Sequence, residues 1–273
     1  MSRLEGRVAF ITGAGHGQGR AHALKLAEEG ADIVATDVAA PVSDVVGYPT
    51  ATMEELEETA ALVGKLGRQC LVRRADVRDF AAIEAAVDDA LATFGRIDIA
   101  VANAGLITYG RLWEQTEEQW DVMSDICLKG VWNTVRAVVP PMIEARRGAI
   151  TITSSATGLR GAPMMGSYSA MKWGVIGLGK SFAIELAPYN VRVNIVHPTG
   201  VRSFMTQSDD QLAAKAAGAH PDLFAPVATN LQPGVDLMDP IDISNAIAYL
   251  VSDDARHVTG TQMVVDAGYS AKP

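Results

Sequence analysis

The chain is predicted to fold as α/β, with a single doubly wound parallel sheet of about seven strands and helices on both faces. Three observations predict this. Short β-branched runs recur, each followed by an Ala/Leu/Glu-rich stretch with helical spacing, and the alternation persists almost to the end. The strand runs are apolar on both faces, as suits parallel strands covered on either side. Nothing between them reads as a linker, a repeat or a low-complexity tract, so residues 1–273 are expected to form one domain.

In chain order, the strand Val8–Thr12 (VAFIT) leads through a glycine-rich turn into a helix at about Gln18–Glu29. Ile33–Asp37 (IVATD) follows, then a helix at Met53–Leu66, whose Glu and Leu residues recur at helical spacing. The strand Cys70–Ala75 precedes the Ala-rich helix Ala81–Thr93, and Ile97–Ala102 precedes a long helix at Glu117–Glu144. Ala149–Ser154, the helix Tyr168–Leu186, Val191–His197, the helix Ile241–Val251 and Met263–Asp266 complete the pattern. Two stretches break it. Val38–Thr52, with Pro41, Gly47 and Pro49, is long for a connection of usually 2–6 residues and reads as an insertion. Pro198–Pro240, holding several prolines and the amphipathic piece Ser208–Ala217, interrupts the last crossover in the manner of a substrate lid.

Composition narrows the function classes. Of 273 residues, 48% are hydrophobic and 20% charged, ample for a sizeable core and unlike a disordered chain. With 23 basic against 32 acidic side chains, a net charge of −9 provides no basic footprint for nucleic acid. No apolar run is long enough for a membrane span. Two cysteines make no disulfide framework, and the opening MSRLEGRVAFITGAG lacks a signal-peptide pattern, so a soluble protein of the reducing cytoplasm is expected.

The first strand ends in Thr12-Gly13-Ala14-Gly15-His16-Gly17-Gln18-Gly19, where a helical pattern begins. Glycines let the backbone turn tightly against a pyrophosphate, and the helix N-terminus turns free N–H groups and positive dipole toward its charge. The spacing is Gly13-x-x-x-Gly17-x-Gly19 rather than the strict G-x-G-x-x-G, and Gly13, His16, Gly17, Gln18 and Gly19 are the candidate contacts. Asp37 ends the second strand about twenty residues on, where a carboxylate can accept both ribose hydroxyl protons and repel a 2′-phosphate. Thr36 and Val38 beside it offer no cation, so NAD is expected over NADP. Asp76-Val77 and Asn103-Ala104-Gly105 end strands at the same carboxyl edge, where open α/β sheets bind ligands.

Tyr168-x-x-x-Lys172 places a phenol and an ammonium four residues apart on one helix face. A tyrosine ordinarily titrates near 10, and a neighbouring Lys⁺ with an oxidised nicotinamide stabilises its phenolate, moving it toward working pH. Ser155, at the end of the fifth strand, is placed to bond the same substrate oxygen.

These motifs together, from Leu4 to Tyr269, resemble the single-domain short-chain dehydrogenase/reductase family, with its Rossmann fold. They stand here as Thr12-Gly13-x-x-x-Gly17-x-Gly19, Asp76-Val77, Asn103-Ala104-Gly105, Ser155, Tyr168-x-x-x-Lys172 and Val264-Val265-Asp266-Ala267-Gly268. The insertion ending Tyr48-Pro49-Thr-Ala-Thr and the segment His197-Pro198-Thr199-Gly200-Val201 resemble the mycofactocin-coupled, carveol dehydrogenase-like subgroup.

The resemblance implies an NAD-dependent oxidoreductase acting on CH–OH groups, with Tyr168 as acid/base. Lys172 would hold the nicotinamide ribose and tune Tyr168, and Ser155 would polarise the substrate C–O bond. It assigns Gly13, Gly17 and Gly19 to the pyrophosphate, Asp37 to the adenosine ribose, Asp76 and Val77 to adenine, and Val201 and Ser203 to the carboxamide. It also implies a homotetramer paired through the long helices Glu117–Glu144 and Tyr168–Leu186, and NAD held tightly enough that a mycofactocin carrier reoxidises it. The insertion Val38–Thr52 is expected to fold over the adenosine end. Leu106, Ile107, Leu159, Met164, Met165, Phe204 and Met205 are expected to wall a pocket for a hydrophobic secondary alcohol or ketone, with Arg160 leaving room for an anionic group.

The family usually carries asparagine where Cys127 stands, bending the helix and anchoring a proton-relay water. Two readings stay open: a tolerated small core residue, or a slowed relay that leaves an impaired or non-catalytic NAD-binding protein. Gly174-Val-Ile-Gly-Leu-Gly179-Lys180-Ser181 matches the phosphate loop of NTPases, but it lies inside a helix, where Gly174 and Gly177 are expected to permit close packing. The five histidines show no metal-ligand spacing, and no metal is expected.

Overall fold

The computed structural model of the chain describes residues 2–207, 218 and 230–271. Seven parallel strands form one sheet: β1 (Val8–Thr12), β2 (Asp32–Asp37), β3 (Cys70–Arg74), β4 (Ile99–Ala102), β5 (Gly148–Thr153), β6 (Val191–Pro198) and β7 (Gln262–Val265). Their order is β3-β2-β1-β4-β5-β6-β7, with Phe10 level with Val34 on one side and Ala100 on the other. The chain winds outward from β1 in one direction and then restarts at β4 in the other. The crevice between the carboxyl ends of β1 and β4 is thus the topological switch point, where ligands bind in such sheets.

The apolar runs serve two cores because successive side chains on a strand point to opposite faces. Phe10, Val34, Ala100 and Ile150 pack on one face, beneath α3 (Phe80–Phe94), α5 (Gly130–Glu144) and α6 (Gly166–Leu186). Ile11, Ile33, Ile99 and Val101 pack on the other, beneath α1 (Gly17–Glu28), α2 (Met53–Lys65) and a C-terminal helix Pro240–Val251. Capping boxes start α2 at Thr52 with Glu55 and α4 (Glu117–Ser124) at Thr116 with Gln119, reciprocally satisfying N–H groups that a helix start leaves open.

The helix expected over Glu117–Glu144 is interrupted. Asp125–Lys129 forms one π-helical turn between α4 and α5. The wider turn brings Gly130 against Val77, where a Cβ would lie 2.5 Å from the valine side chain. Within Gly174–Ser181 of α6 the close approaches fall on Gly174, against Leu128, and Gly179, against Ile195, whereas Gly177 meets nothing within 4 Å. The expected packing role of Gly177 is therefore Gly179's. That stretch lies wholly within α6, which leaves no phosphate loop.

Residues 38–52 wrap around a single 3₁₀ turn, Asp44–Val46, whose Val46 is buried. Ser43 Oγ donates to Glu118 on α4 at 2.6 Å. Of the excursion 198–240, the described part includes the short helix α7 (Phe204–Gln207), while Ser208–Ala217 lies outside the described residues. With that segment aside, the Pro240–Val251 helix is α8. Among the described residues no helix is long and apolar enough to cross a membrane.

Candidate active site

The carboxyl edge of the sheet carries two adjoining chambers. The first is a cleft over the β1–α1 turn, lined by Gly13, His16, Gly17, Gln18, Gly19, Asp37, Asp76, Val77, Asn103, Ala104 and Gly105. The second, a cavity of about 680 Å³, is lined by Ser155, Tyr168, Lys172, Val201 and Ser203 among others. Gln18, Asn103, Gly105, Ser203 and Met205 line both, so the chambers share a wall. Among the predicted cofactor residues, Tyr168, Lys172 and Val201 line only the second chamber, where they stand with Ser155.

The glycine loop is shaped by close backbone approach. Gly13 takes φ +70°, and a Cβ on Gly19 would lie 1.9 Å from the Gly13 carbonyl oxygen. The Asn103-Ala104 turn is clamped to this loop: both its backbone N–H groups donate to Thr12 Oγ1, at 3.1 and 3.2 Å, and Asn103 Nδ2 donates to the Thr12 carbonyl. Asp37 is 9% exposed, and its two carboxylate oxygens accept from Gly15 N at 3.0 Å and Ala39 N at 3.1 Å. Burial pushes the Asp76 carboxyl upward, but the Arg78 guanidinium and backbone N–H hold it below the ordinary range. His16 stacks edge-on against Phe204 at 5.1 Å, tying the loop to α7.

An adenine dinucleotide fits this cleft by two observations. The backbone at Gly13 and Gly19 leaves no space for side chains, which keeps N–H groups accessible to a pyrophosphate. His16 Nε2 is also buried there without a hydrogen-bond partner in the protein, and a phosphate oxygen would satisfy it.

In the second chamber, Tyr168 sits in the first turn of α6 and Lys172 one turn on, with the ammonium 5.5 Å from the phenol ring centre. Lys172 is buried and donates to the Thr153 carbonyl at 2.8 Å; burial pushes its pKa down. Cys127, in the π turn, is also buried, and burial pushes its thiol up, so it stays protonated. Its sulfur accepts from Leu106 N at 3.4 Å and donates to Leu106 O at 3.2 Å. Cys127 thus ties the helix break to the segment after β4, beside Gly105.

His197, fully buried at the end of β6, faces the Ser155 carbonyl through Nδ1 at 2.9 Å. A carbonyl only accepts, so Nδ1 carries the proton, and burial, which lowers the pKa, keeps the ring neutral.

The expected apolar wall is partly redrawn. Ile107, Met165 and Met205 line the second chamber, but Leu106 lines the first, and Leu159, Met164 and Phe204 line neither. Phe204 is taken up by His16, and Met164 lies on a left-handed turn at φ +62°. Tyr109, Leu237 and Tyr269 line the chamber instead. Arg160 lies against the Tyr269 ring and donates to its carbonyl rather than standing in the cavity. Val42, Tyr48 and Ala51 of the insertion line the first chamber, and Tyr48 Oη accepts from Ile107 N at 2.9 Å.

Known proteins resemble the chain over its whole length. A family model described as Enoyl-(Acyl carrier protein) reductase matches residues 13–270. The chain is 46% identical over 283 residues to (−)-trans-carveol dehydrogenase of Rhodococcus erythropolis, covering 100% of both proteins. Among solved structures, carveol dehydrogenase from Mycobacterium avium in complex with NAD superposes with a TM-score of 0.92 at 45% identity, covering 100% of both chains. A short-chain dehydrogenase from Mycobacterium paratuberculosis bound to NAD gives 0.95 at 42% identity, covering 99% of this chain and 100% of that one.

Proposed function

The chain belongs to the short-chain dehydrogenase/reductase family, and from that premise we propose that it is an NAD-dependent oxidoreductase of the reducing cytoplasm, interconverting a hydrophobic secondary alcohol and its ketone. The observation that carries the reading is the shared wall. Ser155, Tyr168 and Lys172 stand in the chamber that abuts the glycine loop's cleft through Gln18, Asn103 and Gly105. NAD, when bound, supplies hydride transfer at nicotinamide C4.

Gly13, His16, Gly17, Gln18 and Gly19 would hold the pyrophosphate, Asp37 the adenosine ribose, and Asp76 and Val77 the adenine. Asn103, Ala104, Gly105, Val201 and Ser203 would flank the nicotinamide. In the oxidative direction Tyr168 takes the proton from the substrate hydroxyl, and the Lys172 ammonium stabilises the phenolate form. Lys172 would also hold the nicotinamide ribose. Ser155 bonds the substrate oxygen and fixes its approach. Ile107, Tyr109, Met165, Leu237 and Tyr269 give the chamber an apolar and aromatic lining suited to a terpenoid-like alcohol, the class that carveol represents.

We further infer that the insertion 38–52, whose Val42, Tyr48 and Ala51 line the cofactor cleft, retains NAD so that a mycofactocin carrier takes its electrons. Of the excursion 198–240, residues such as Thr199, Met205, Asn230 and Leu237 border the substrate side. The chain assembles as a homotetramer through α5 and α6, where Trp132, Trp173 and Ile184 are 40%, 53% and 76% exposed.

The test is to purify the protein without added cofactor, denature it and quantify released NAD(H) by chromatography, then follow single-turnover reduction of NAD by (−)-trans-carveol. Near-stoichiometric NAD and a burst of NADH are expected. Empty protein that turns over with free NAD removes the retained-cofactor and mycofactocin part. NAD binding without hydride transfer from any secondary alcohol removes the enzyme reading in favour of a binding protein whose relay stops at Cys127.

A further inference from the structure

The hydrogen bonds around Ser155 point to a residue outside the Ser155–Tyr168–Lys172 set. Ser155 caps the 3₁₀ turn Ala156–Gly158, and Thr157 within that turn is 6% exposed and lines the substrate chamber. Thr157 addresses the Ser155 hydroxyl twice. Its backbone N–H donates to Ser155 Oγ at 3.2 Å, and its own Oγ1 donates to the same atom at 3.1 Å. The Ser155 carbonyl is held as well, by His197 Nδ1 at 2.9 Å and Gly158 N at 2.9 Å.

A serine hydroxyl has one proton to donate and two lone pairs to accept with. Thr157 fills both lone pairs. What Ser155 keeps is its O–H, and the remaining open side of a half-buried Ser155 is the chamber. We propose that Thr157 is a positioning residue that commits Ser155 to act as a hydrogen-bond donor toward the substrate oxygen. This rests on the dehydrogenase reading above.

The sense of the bond matters for the chemistry. An alcohol oxygen that accepts from Ser155 has its own proton free for Tyr168, and the oxygen gains negative character as that proton leaves. The Ser155 O–H then strengthens its bond as charge develops, where stabilisation counts toward rate. A Ser155 free to rotate could equally accept from the substrate hydroxyl, withdrawing the proton that Tyr168 needs. With both lone pairs occupied, that unproductive orientation is closed.

Two measurements test the proposal. Neutron diffraction from crystals of the deuterium-exchanged protein locates the hydroxyl deuterons directly: the Ser155 deuteron is expected to point into the chamber and that of Thr157 toward Ser155 Oγ, and the reverse orientation overturns the proposal. In steady-state oxidation of (−)-trans-carveol, Thr157→Val keeps the shape and the backbone N–H but removes one donor. Its kcat is expected to fall roughly fivefold, the scale of one net hydrogen bond, with KM for NAD within twofold and Thr157→Ser restoring most of the rate.

The same Thr157→Val change is expected to add nothing once Ser155 is Ala. A wild-type kcat in Thr157→Val, failure of Thr157→Ser to rescue, or an equal loss in the Ser155→Ala background each overturns it. If the wild-type protein oxidises no secondary alcohol, the dehydrogenase reading falls, and the neutron result still decides the donor sense of Ser155.

Discussion

On the proposed reading, cofactor choice is a property of one side chain, Asp37. Each of its carboxylate oxygens already accepts one loop N–H and keeps a second lone pair for a ribose hydroxyl. Asp37→Ser is expected to lower kcat/KM for NAD by about tenfold to a hundredfold, the range of a lost charge-assisted hydrogen bond, and to raise kcat/KM for NADP by removing the repulsion. Kinetics with both cofactors check this, and an unchanged NAD to NADP ratio would remove Asp37 from the recognition site. Asp37 was legible in the sequence because a strand end about twenty residues past a glycine loop has a defined place in such a sheet. Gly15 and His197 were not. Gly15 matters because a Cβ there would lie 2.5 Å from Ala51 and press on Asp37, and His197 because strand pairing sets it beside the Ser155 carbonyl. Both facts arise only when distant segments meet.

Helices show the same division between local and non-local signals. The ends of α1, α2, α3 and α8 fall within two residues of their expected positions, because periodicity and capping residues are local. The π turn at Asp125–Lys129 left no trace in the helical periodicity, and only the family resemblance implied a bend at Cys127; its contacts, Gly130 with Val77 and Cys127 with Leu106, cross the core. One inter-helix contact sets a pH dependence. His22 on α1 is fully buried and meets Ser244 on α8 at 2.8 Å; Ser244 Oγ spends its proton on the Pro240 carbonyl, so His22 Nδ1 is the donor. Burial lowers the His22 pKa from 6.5 to about 3. The unfolded chain therefore takes the proton first on acidification, and His22's contribution, complete above about pH 6.5, is lost as pH falls toward 3. His22→Asn, which does not titrate, is expected to lose less thermal stability than the wild-type protein between pH 7 and pH 4.5. Parallel melting-temperature losses in scanning calorimetry would exclude His22 as the acid-sensitive contact.

At the scale of the whole molecule the sheet was the most legible feature, because continuous apolar runs such as Val8–Thr12 and Gly148–Thr153 feed both cores at once. The substrate chamber was the least legible, since Tyr109, Leu237 and Tyr269 converge from three separate segments. Assembly is tested at this scale as well. Trp173→Asp together with Ile184→Asp, both on the exposed side of α6, is expected to shift sedimentation velocity from a tetramer to a smaller species while leaving the melting temperature of the protomer nearly unchanged. A wild-type protein that sediments as a monomer would overturn the tetramer.

The bond from Ile107 N–H to Tyr48 Oη crosses from one chamber wall to the other. Any coupling of the two occupancies that it carries is reciprocal: whatever factor substrate adds to nucleotide affinity through this bond, nucleotide must return to substrate affinity in equal measure.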